Sequence, residues 1–304
     1  MARRLAFAFP GQGSQRRGML APVLGVEGFE PLLAAAEALT ALPLRQLAED
    51  GTDEELADTR VAQPLLYLTD LAWAFALSAK GVAPELVAGH SLGELAALAF
   101  AGVFSAEDGL ELVVTRSRLM AAAADGESGM AAILGMSAAD VACAVEGVPG
   151  VWVANDNAPG QVVLSGTRQG LMEAGMNLQS IGTPKVVPLK VAAAFHSPLM
   201  AEAAEAFRAV LSAIELAHAR VPVVQNADPR PTSDPEVICE RLAAQMVNPV
   251  RWTETMLAFR LAGIDTIVEC GPGGVLRGLA RRVEGLTALS AEDRGVDAVI
   301  EEVS

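Results

Sequence analysis

The chain has few residues of the types that form metal sites, disulfide frameworks or membrane spans. It contains three cysteines and three histidines in 304 residues. Cys143, Cys239 and Cys270 are odd in number and lack a C-x-x-C spacing, so we expect reduced thiols rather than disulfides or a metal centre. No apolar run approaches the roughly 18 residues that suggest a membrane helix. Residues 1–7 lack the apolar segment and cleavage site of a signal peptide, and we expect a cytoplasmic protein.

Positive charge is also scarce, since 22 lysines and arginines face 37 aspartates and glutamates and the formal net charge is −15. This sign argues against nucleic acid and membranes as partners. The run Gly271-Pro272-Gly273-Gly274 lacks the G-x-G-x-x-G spacing of dinucleotide-binding turns, and we interpret it as the entry turn of a helix. Hydrophobic residues, in contrast, make up 52% of the sequence, which excludes a disordered chain and allows two cores.

Short apolar runs alternate with long alanine-rich amphipathic segments along most of the chain. This alternation predicts an α/β fold in which helices cover a parallel sheet. The expected strands of that sheet are residues 5–9, 86–88, 221–224 and 265–269. We assign them to a large α/β-hydrolase-like domain formed by residues 1–125 and 192–304.

The pattern changes between residues 126 and 191, where the sequence predicts a small inserted α+β domain. The expected elements are a strand at 130–134, a helix at 137–146, strands at 151–154 and 162–165, a helix at 170–181 and a strand at 185–191. This β-α-β-β-α-β order is ferredoxin-like. Asn157 is expected in the turn between the two central strands, and a role in the wall of the site is the alternative.

The most informative segment is Gly89-His90-Ser91-Leu92-Gly93, which follows an apolar run and leads into a helix-forming stretch. In a G-x-S-x-G turn between strand and helix, the glycines let the serine hydroxyl stand exposed, and helix N–H groups face any oxyanion that forms nearby. Ser91 is therefore the candidate nucleophile for acyl transfer through a serine ester. The alternative is a serine in an ordinary strand-to-helix turn.

A serine nucleophile needs a base, and the chain offers His90, His196 and His218. His90 adjoins Ser91 on an extended segment, so its ring is expected to point away from the hydroxyl. His218 lies in a polar-edged stretch and is expected at the surface. His196 follows a predicted strand, in a loop position where catalytic residues are often displayed, and is the preferred base.

Seven segments in register make the chain resemble one family, the malonyl-CoA:acyl carrier protein transacylases, with the related acyltransferase domains of polyketide synthases. They are residues 9–15, 89–94, 116–120, 157–161, 195–200, 245–250 and 269–273. The resemblance implies an enzyme that moves a malonyl group from malonyl-CoA to the phosphopantetheine thiol of an acyl carrier protein, through malonyl-Ser91. It implies no metal or redox cofactor, since malonyl-CoA enters as a substrate. We expect a monomer.

The resemblance also implies roles around the nucleophile. His196 would take the serine proton while the main-chain carbonyl of Gln245 holds the other ring nitrogen, so that no aspartate is needed. The backbone N–H groups of Leu92 and Gln12 would bind the oxyanion.

Arg116 would separate this chain from other serine hydrolases, because the resemblance implies that its guanidinium binds the free carboxylate of the malonyl group. Phe195 matches a bulky residue that the family associates with malonyl rather than methylmalonyl. The sequence departs from malonyl-selective modular domains at Ala193, where these often carry histidine, so the choice of acyl group stays open. Gln63 matches a family position near the cleft, but helix capping before Pro64 explains it nearly as well.

An acidic carrier would need a local basic patch on this acidic chain. Arg277, Arg281 and Arg282 fall on one predicted helix, in a region that receives the carrier in the family; a solvated helix face is the alternative. Arg16 and Arg17 are further candidates for binding the carrier or the phosphates of CoA.

The rival functions are a serine thioesterase or acyl hydrolase, a trans-acting polyketide acyltransferase that uses another acyl group, and a non-catalytic carrier-binding subunit. The sequence does not distinguish fatty acid from polyketide synthesis.

Overall fold

The computed structural model describes residues 3–182 and 185–303, which form two sheets covered by helices. The strands in these residues are β1 (Leu5–Phe9), β2 (Leu86–Gly89), β3 (Ser128–Leu134), β4 (Val151–Ala158), β5 (Gln161–Thr167), β6 (Lys185–Pro188), β7 (Val223–Val224), β8 (Val250–Arg251), β9 (Thr266–Glu269) and β10 (Thr287–Ser290).

The α-helices in the same residues are α1 (Phe29–Thr40), α2 (Leu44–Asp50), α3 (Asp53–Ala57), α4 (Thr59–Ala79), α5 (Gly93–Phe100), α6 (Ala106–Ala122), α7 (Ala138–Ala144), α8 (Arg168–Ser180), α9 (Ala201–Leu211), α10 (Pro235–Ala244), α11 (Trp252–Leu261), α12 (Val275–Ala280), α13 (Ala291–Arg294) and α14 (Val296–Val303). Short 3-10 helices lie at Ala21–Val23, Pro198–Met200 and Gln245–Val247. None of the helices in the described ranges combines the length and hydropathy that a membrane crossing requires.

The larger sheet has the strand order β10-β9-β1-β2-β7, and every pairing in it is parallel. This confirms the predicted α/β class. Alternate residues of β1 face opposite cores: Phe7 and Phe9 lie in the cluster with α4 to α6, and Ala6 and Ala8 lie in the cluster with α11 and α12. The strand is buried on both faces, which explains why it appears in the sequence as an unbroken apolar run.

The carboxyl ends of the parallel strands meet at one edge of this sheet, which is where ligand sites form in open α/β sheets. Ser91 follows β2 at that edge, and Asn226 follows β7. The strand expected at 221–224 shortens to Val223–Val224, since Pro222 has no N–H to donate. β10, an edge strand, was not predicted.

The smaller sheet contains the expected β-α-β-β-α-β elements, with the antiparallel strand order β6-β3-β5-β4 of a ferredoxin-like domain. β8 extends this sheet by pairing in parallel with β4, although it comes from a segment assigned to the large domain. The boundaries 1–125, 126–191 and 192–304 remain a prediction. Residues 1, 2, 183, 184 and 304 of those ranges lie outside the described residues.

The prediction of Asn157 as a turn residue is wrong. β4 continues to Ala158, and the register between β4 and β5 shifts between Asp156 and Ala158. This irregularity leaves Asn157 without a ladder partner on β5, as in a β-bulge, which redirects a side chain. Its side chain contacts the nucleophile segment instead.

Candidate active site

Ser91 lies in a left-handed turn between β2 and α5, with a φ of 53°. The flanking glycines allow a backbone contact that no side chain would permit. A Cβ atom on Gly89 would lie 1.8 Å from the Gly93 carbonyl carbon, and one on Gly93 would lie 2.1 Å from the Phe9 carbonyl oxygen. The G-x-S-x-G pattern is therefore a steric requirement of this turn, which displays the serine side chain at the sheet edge.

His196 is buried beside Ser91 and also has a left-handed backbone, with a φ of 55°. Its Nε2 atom lies 2.8 Å from Ser91 Oγ, and its Nδ1 atom lies 3.1 Å from the carbonyl oxygen of Gln245. Because a carbonyl can only accept, this network assigns the ring proton to Nδ1 and leaves Nε2 to accept from the serine hydroxyl. Burial, and secondly the charge of Arg116, lower the pKa of His196 to about 3. The imidazole is thus neutral at physiological pH.

Arg116 is fully buried on α6, with its guanidinium facing the nucleophile. Its Nη2 atom donates to Ser91 Oγ at 3.0 Å and to Gln245 Oε1 at 2.9 Å, and Nη1 donates to Gln63 Oε1 at 2.9 Å. Burial lowers the pKa of Arg116 to about 10, so the group keeps its charge at neutral pH. Within the described ranges no carboxylate forms a salt bridge with it. A buried cation whose acceptors are all neutral is suited to bind an anion.

Gln63 lies inside α4 rather than at its start, where Asp58 is the N-cap. Helix capping therefore does not explain this residue. Its buried carboxamide instead holds the Arg116 guanidinium, and Nε2 contacts the Met120 sulfur at 3.4 Å.

The backbone N–H groups of Gln12 and Leu92 have no acceptor among the described residues. Leu92 precedes the first turn of α5. The Gln12 loop is held against the nucleophile turn, since a Cβ atom on Gly11 would lie 2.4 Å from the His90 carbonyl oxygen. The Gln12 side chain is anchored on the other side, donating to the Ala57 carbonyl at 3.2 Å. Two free donors beside a serine are the arrangement that an oxyanion needs.

A cavity of about 100 Å³ opens at Ser91, with walls from three strands of the smaller sheet and from helices and loops next to the larger sheet. Its lining residues are Gln12, Gln63, His90, Ser91, Met120, Met130, Asn155, Val163, Leu189, Val191, Phe195 and His196. Phe195, buried next to the histidine, contributes to the apolar wall. The cavity accommodates a short acyl group.

A wider cleft of about 830 Å³ lies on the other side of residues 189–192. Lys190 and Ala192 line this cleft, whereas Leu189 and Val191 line the small cavity, as expected for an extended segment whose side chains alternate. The segment therefore forms a wall between the two spaces.

His90 points away from the Ser91 hydroxyl, in agreement with the prediction from its place on an extended segment. Its Nε2 atom lies 2.8 Å from Asn157 Oδ1, and its ring packs edge-on against Trp252 with the ring centres 5.5 Å apart. The contact with Asn157 joins the nucleophile segment to the smaller sheet through β4, and the contact with Trp252 joins it to the start of α11.

Sequence reasoning missed the buried residue Asn226, and it gave no role to Glu94, the last residue of the segment 89–94. Asn226 Oδ1 accepts from the Ser91 N–H at 2.7 Å, and Asn226 N–H donates to Glu94 Oε2, also at 2.7 Å. Gln245 was predicted for its carbonyl alone, but its side-chain Nε2 also donates to the Ser91 carbonyl at 2.9 Å. The signal in the sequence was only that polar residues directly follow a strand.

The three arginines predicted for carrier docking lie away from the Ser91 cavity and differ among themselves. Arg277 forms an ion pair with Asp293 at 2.5 Å. Arg281 and Arg282 follow α12 and are exposed, and Arg282 Nη1 makes a long contact of 3.5 Å with the Pro159 carbonyl. Only the last two therefore present their charge to solvent.

Four other residues considered from the sequence also lie outside the cavity. Arg16 forms an ion pair with Glu292 at 2.7 Å, and Arg17 donates to a backbone carbonyl at 2.9 Å. His218 is exposed, as predicted. Cys270 is fully buried at the end of β9, and burial raises the pKa of its thiol well above the ordinary value.

Comparison with known proteins places this architecture in a family. The family model for acyl transferase domains matches residues 6–290. The malonyl CoA-acyl carrier protein transacylase of Synechocystis is 40% identical over 279 residues, which cover 92% of this chain and 93% of the relative. The solved structure of the corresponding transacylase from Coxiella burnetii matches with a TM-score of 0.93 at 33% identity, covering 100% of this chain and 98% of the other. A malonyl-transacylase solved in complex with its type II polyketide acyl-carrier protein matches with a TM-score of 0.92 at 36% identity, covering 99% of each chain. The chain therefore belongs to the acyl transferase family.

Proposed function

We propose that the protein transfers a malonyl group from malonyl-CoA to the phosphopantetheine thiol of an acyl carrier protein, through a malonyl ester of Ser91. The observation that carries this proposal is the buried Arg116 guanidinium, 3.0 Å from Ser91 Oγ. A malonyl carboxylate would pair with this charge, whereas an acetyl group would leave it with neutral acceptors only. The names of the relatives from Synechocystis and Coxiella burnetii support the same substrate.

In the first half-reaction, Ser91 Oγ attacks the thioester carbonyl carbon while His196 Nε2 takes the hydroxyl proton. The carbonyl oxygen becomes an oxyanion that the N–H groups of Gln12 and Leu92 stabilise. The intermediate then collapses as the carbon–sulfur bond breaks. The imidazolium returns its proton to the departing sulfur, which leaves malonyl-Ser91 and free CoA.

In the second half-reaction the same groups act in reverse. His196 takes the proton of the phosphopantetheine thiol, and the sulfur attacks the ester carbonyl of malonyl-Ser91. The new oxyanion occupies the same pair of N–H donors. When the ester bond breaks, the proton returns to Ser91 Oγ, and the malonyl group leaves on the carrier.

Arg116 affects the chemistry as well as binding, because it donates to the nucleophile itself. A malonyl carboxylate replaces Ser91 Oγ as an acceptor of Nη2 and offsets the positive charge that helps to depress the pKa of His196. The base is therefore strengthened when the bound acyl group carries a carboxylate. Discrimination between malonyl and acetyl then acts on the acylation rate in addition to affinity.

The carrier docks, in this proposal, at the exposed pair Arg281 and Arg282. A chain with a net charge of −15 has few positive surfaces to offer an acidic partner, which supports a local patch. The solved complex of a similar malonyl-transacylase with its carrier supports the class of partner. One chain supplies all the residues of the proposed route, which supports the expectation of a monomer.

Intact mass spectrometry tests the proposal directly. The protein is incubated with malonyl-CoA and, separately, with acetyl-CoA, and a holo carrier protein is then added. We expect a malonyl adduct that is absent in Ser91→Ala and that moves to the carrier. Release of free malonate as fast as transfer would make the protein a hydrolase. A parent enzyme that forms no adduct would make it a carrier-binding subunit.

A further inference from the structure

The side chain of Asn226 continues the parallel pairing of β2 and β7 after the backbone of β7 has ended. The backbone pairs are Val87 with Val223 and Ala88 with Val224. Two residues later, Asn226 Nδ2 donates to the Gly89 carbonyl at 2.6 Å, and Oδ1 accepts from the Ser91 N–H at 2.7 Å.

This pair of bonds reproduces the geometry of a parallel ladder. There, one residue donates to the carbonyl before its partner and accepts from the N–H after it. A carboxamide carries the same donor and acceptor as a peptide group. Asn226 thus pairs across His90, whose own N–H donates to Phe9 in β1 at 2.9 Å on the other side. The strand stays bonded on both edges up to Ser91.

Such support is needed because the next residue is strained. A left-handed backbone at a residue other than glycine costs about 1–3 kcal/mol and persists only where its surroundings fix it. Ser91 is fixed at both of its peptide groups: Asn226 holds the N–H, and Gln245 Nε2 holds the carbonyl at 2.9 Å. This backbone conformation aims Ser91 Oγ at His196 Nε2. The next N–H group along the chain is that of Leu92.

Asn226 is itself held in place by a residue next to the turn that it supports. Its N–H donates to Glu94 Oε2, and Glu94 is fully buried in the first turn of α5, three residues after Ser91. The nucleophile turn, Asn226 and Glu94 therefore close a ring of buried hydrogen bonds. Asn226 has 1% of its surface exposed, so water does not replace these bonds.

We propose that Asn226 is a positioning residue, which sets the rate of Ser91 acylation by holding the strained turn through its carboxamide. The inference rests on the acyl transfer proposed above, since that reaction supplies its assay. Asn226 lines no part of the cavity at Ser91. Its loss therefore slows the chemical step and leaves the affinity for malonyl-CoA intact.

Asn226→Leu is the sharpest variant because it keeps the branched shape of the side chain but removes both the donor to the Gly89 carbonyl and the acceptor for the Ser91 N–H. We expect malonyl-Ser91 to form about 100-fold more slowly, as it should in Asn226→Ala. Rate constants come from the time course of the adduct, not its final amount, so an unfolded fraction does not enter. The Kd for malonyl-CoA, measured with Ser91→Ala in the background, should change less than about twofold.

Gln225→Ala is the matched control. Gln225 is the preceding residue, equally buried, and its carboxamide also donates to Glu94, at 3.1 Å, but it does not contact the turn. We expect its acylation rate to stay within about threefold of the parent. An equal loss in Gln225→Ala would reduce Asn226 to a general contributor to stability.

A double variant separates positioning from general weakening. If Asn226 acts by aiming Ser91 at His196, then Asn226→Ala should slow His196→Ala no further. Multiplying effects, or acylation within threefold of the parent in both Asn226 variants, would overturn the inference. A parent enzyme without any adduct would instead refute the proposed function, so the two failures are distinguishable.

Discussion

Two buried polar clusters lie near the same edge of the larger sheet, and they differ in how their polar atoms are paired. The catalytic cluster contains Ser91, His196, Arg116, Gln245 and Asn226, and each of its side chains bonds to another or to the turn. Arg116 Nε is its one side-chain nitrogen without a partner among the described residues. The acidic cluster contains Asp70, Glu269 and Cys270. Both oxygens of Asp70 are buried and have no partner among the described residues. Equal burial therefore gives a pre-organised site in one place and a cost in stability in the other.

Hydrogen bonds compensate only in part for the burial of the carboxyl groups in the acidic cluster. Glu269 accepts from the N–H groups of Leu276 and Arg277 at the start of α12, both at 2.9 Å, yet burial still raises its pKa to about 7. Burial, and secondly the charge of Glu269, raise the pKa of Asp70 well above its ordinary value. The catalytic cluster shows a different arrangement, in which the hydrogen-bond acceptors of the Arg116 cation are neutral and the nearby charge of Glu94 only partly offsets the effect of burial on its pKa.

Loss of the base should have the largest effect on the acylation rate, since the other residues of the catalytic cluster act on the reaction that the base starts. We expect His196→Ala to slow Ser91 acylation about 10,000-fold, because no other described side chain lies at Ser91 Oγ as a base that could take the hydroxyl proton. In the free parent, the pKa of about 3 keeps His196 neutral, so the acylation rate at malonyl-CoA concentrations well below KM, which reports the free protein, should not fall between pH 8 and pH 5. Rapid-quench mass spectrometry measures both. An inflection near pH 6.5 would show a base that is not desolvated.

Arg116→Ala tests the cation of the same cluster. A malonyl carboxylate left desolvated and unpaired should cost about 2–5 kcal/mol, which is roughly a 30-fold to 5,000-fold slower acylation by malonyl-CoA. Acetyl-CoA never uses the pair and should react no more slowly than with the parent, which makes it the internal control. Equal losses for both substrates would make Arg116 structural and would remove the contrast with the acidic cluster.

Asp70→Asn tests the cost assigned to the acidic cluster. An acid whose pKa is raised by folding binds more protons when folded, so the free energy of unfolding falls as pH rises above about 3.8, the ordinary pKa of the group. The variant removes this dependence. Its advantage over the parent should therefore grow with pH and reach about 1–3 kcal/mol at pH 8. Urea unfolding at pH 5, 6.5 and 8 measures it. A difference that does not vary with pH would mean that Asp70 is not the titrating group.

The smallest effect is expected at Arg281 and Arg282, which are exposed and form no ion pair with a described residue. Arg281→Glu combined with Arg282→Glu should raise the KM for the carrier about 3-fold to 10-fold and leave acylation by malonyl-CoA unchanged. Arg208→Glu combined with Arg230→Glu alters the net charge equally at exposed positions elsewhere and is the control. The same rise in KM in the control pair would indicate an effect of total charge rather than a docking patch.

The parts that the sequence predicted are those with a local physical cause. β1 and β2 are detectable because strands buried on both faces must be apolar throughout, and the nucleophile turn because Gly89 and Gly93 have no room for a side chain. The family resemblance supplied the roles of Arg116 and Gln245. Those roles remain predictions for the experiments above.

The parts that the sequence did not predict depend on distant neighbours. Asn226 is a polar residue after a two-residue strand, and its importance appears only when Gly89, 137 residues away, lies beside it. β8 is equally short and belongs to the smaller sheet only because it pairs with β4. Asparagine is common in turns, but at position 157 the irregular register of β4 decides where the side chain points.

The three hydrogen-bonding groups of Gln245 also bear on the order in which the protein acquires activity. They join it to His196, Arg116 and Ser91 across 49, 129 and 154 residues of chain. Contacts of such high contact order form late, because the entropy of closing long loops is lost before the bonds compensate for it. A nascent chain that has already emerged past His196 holds nucleophile and base without the carbonyl that orients the ring. If the proposed roles are right, we expect acyl transfer to begin only when synthesis and folding have reached the carboxyl-terminal third of the chain.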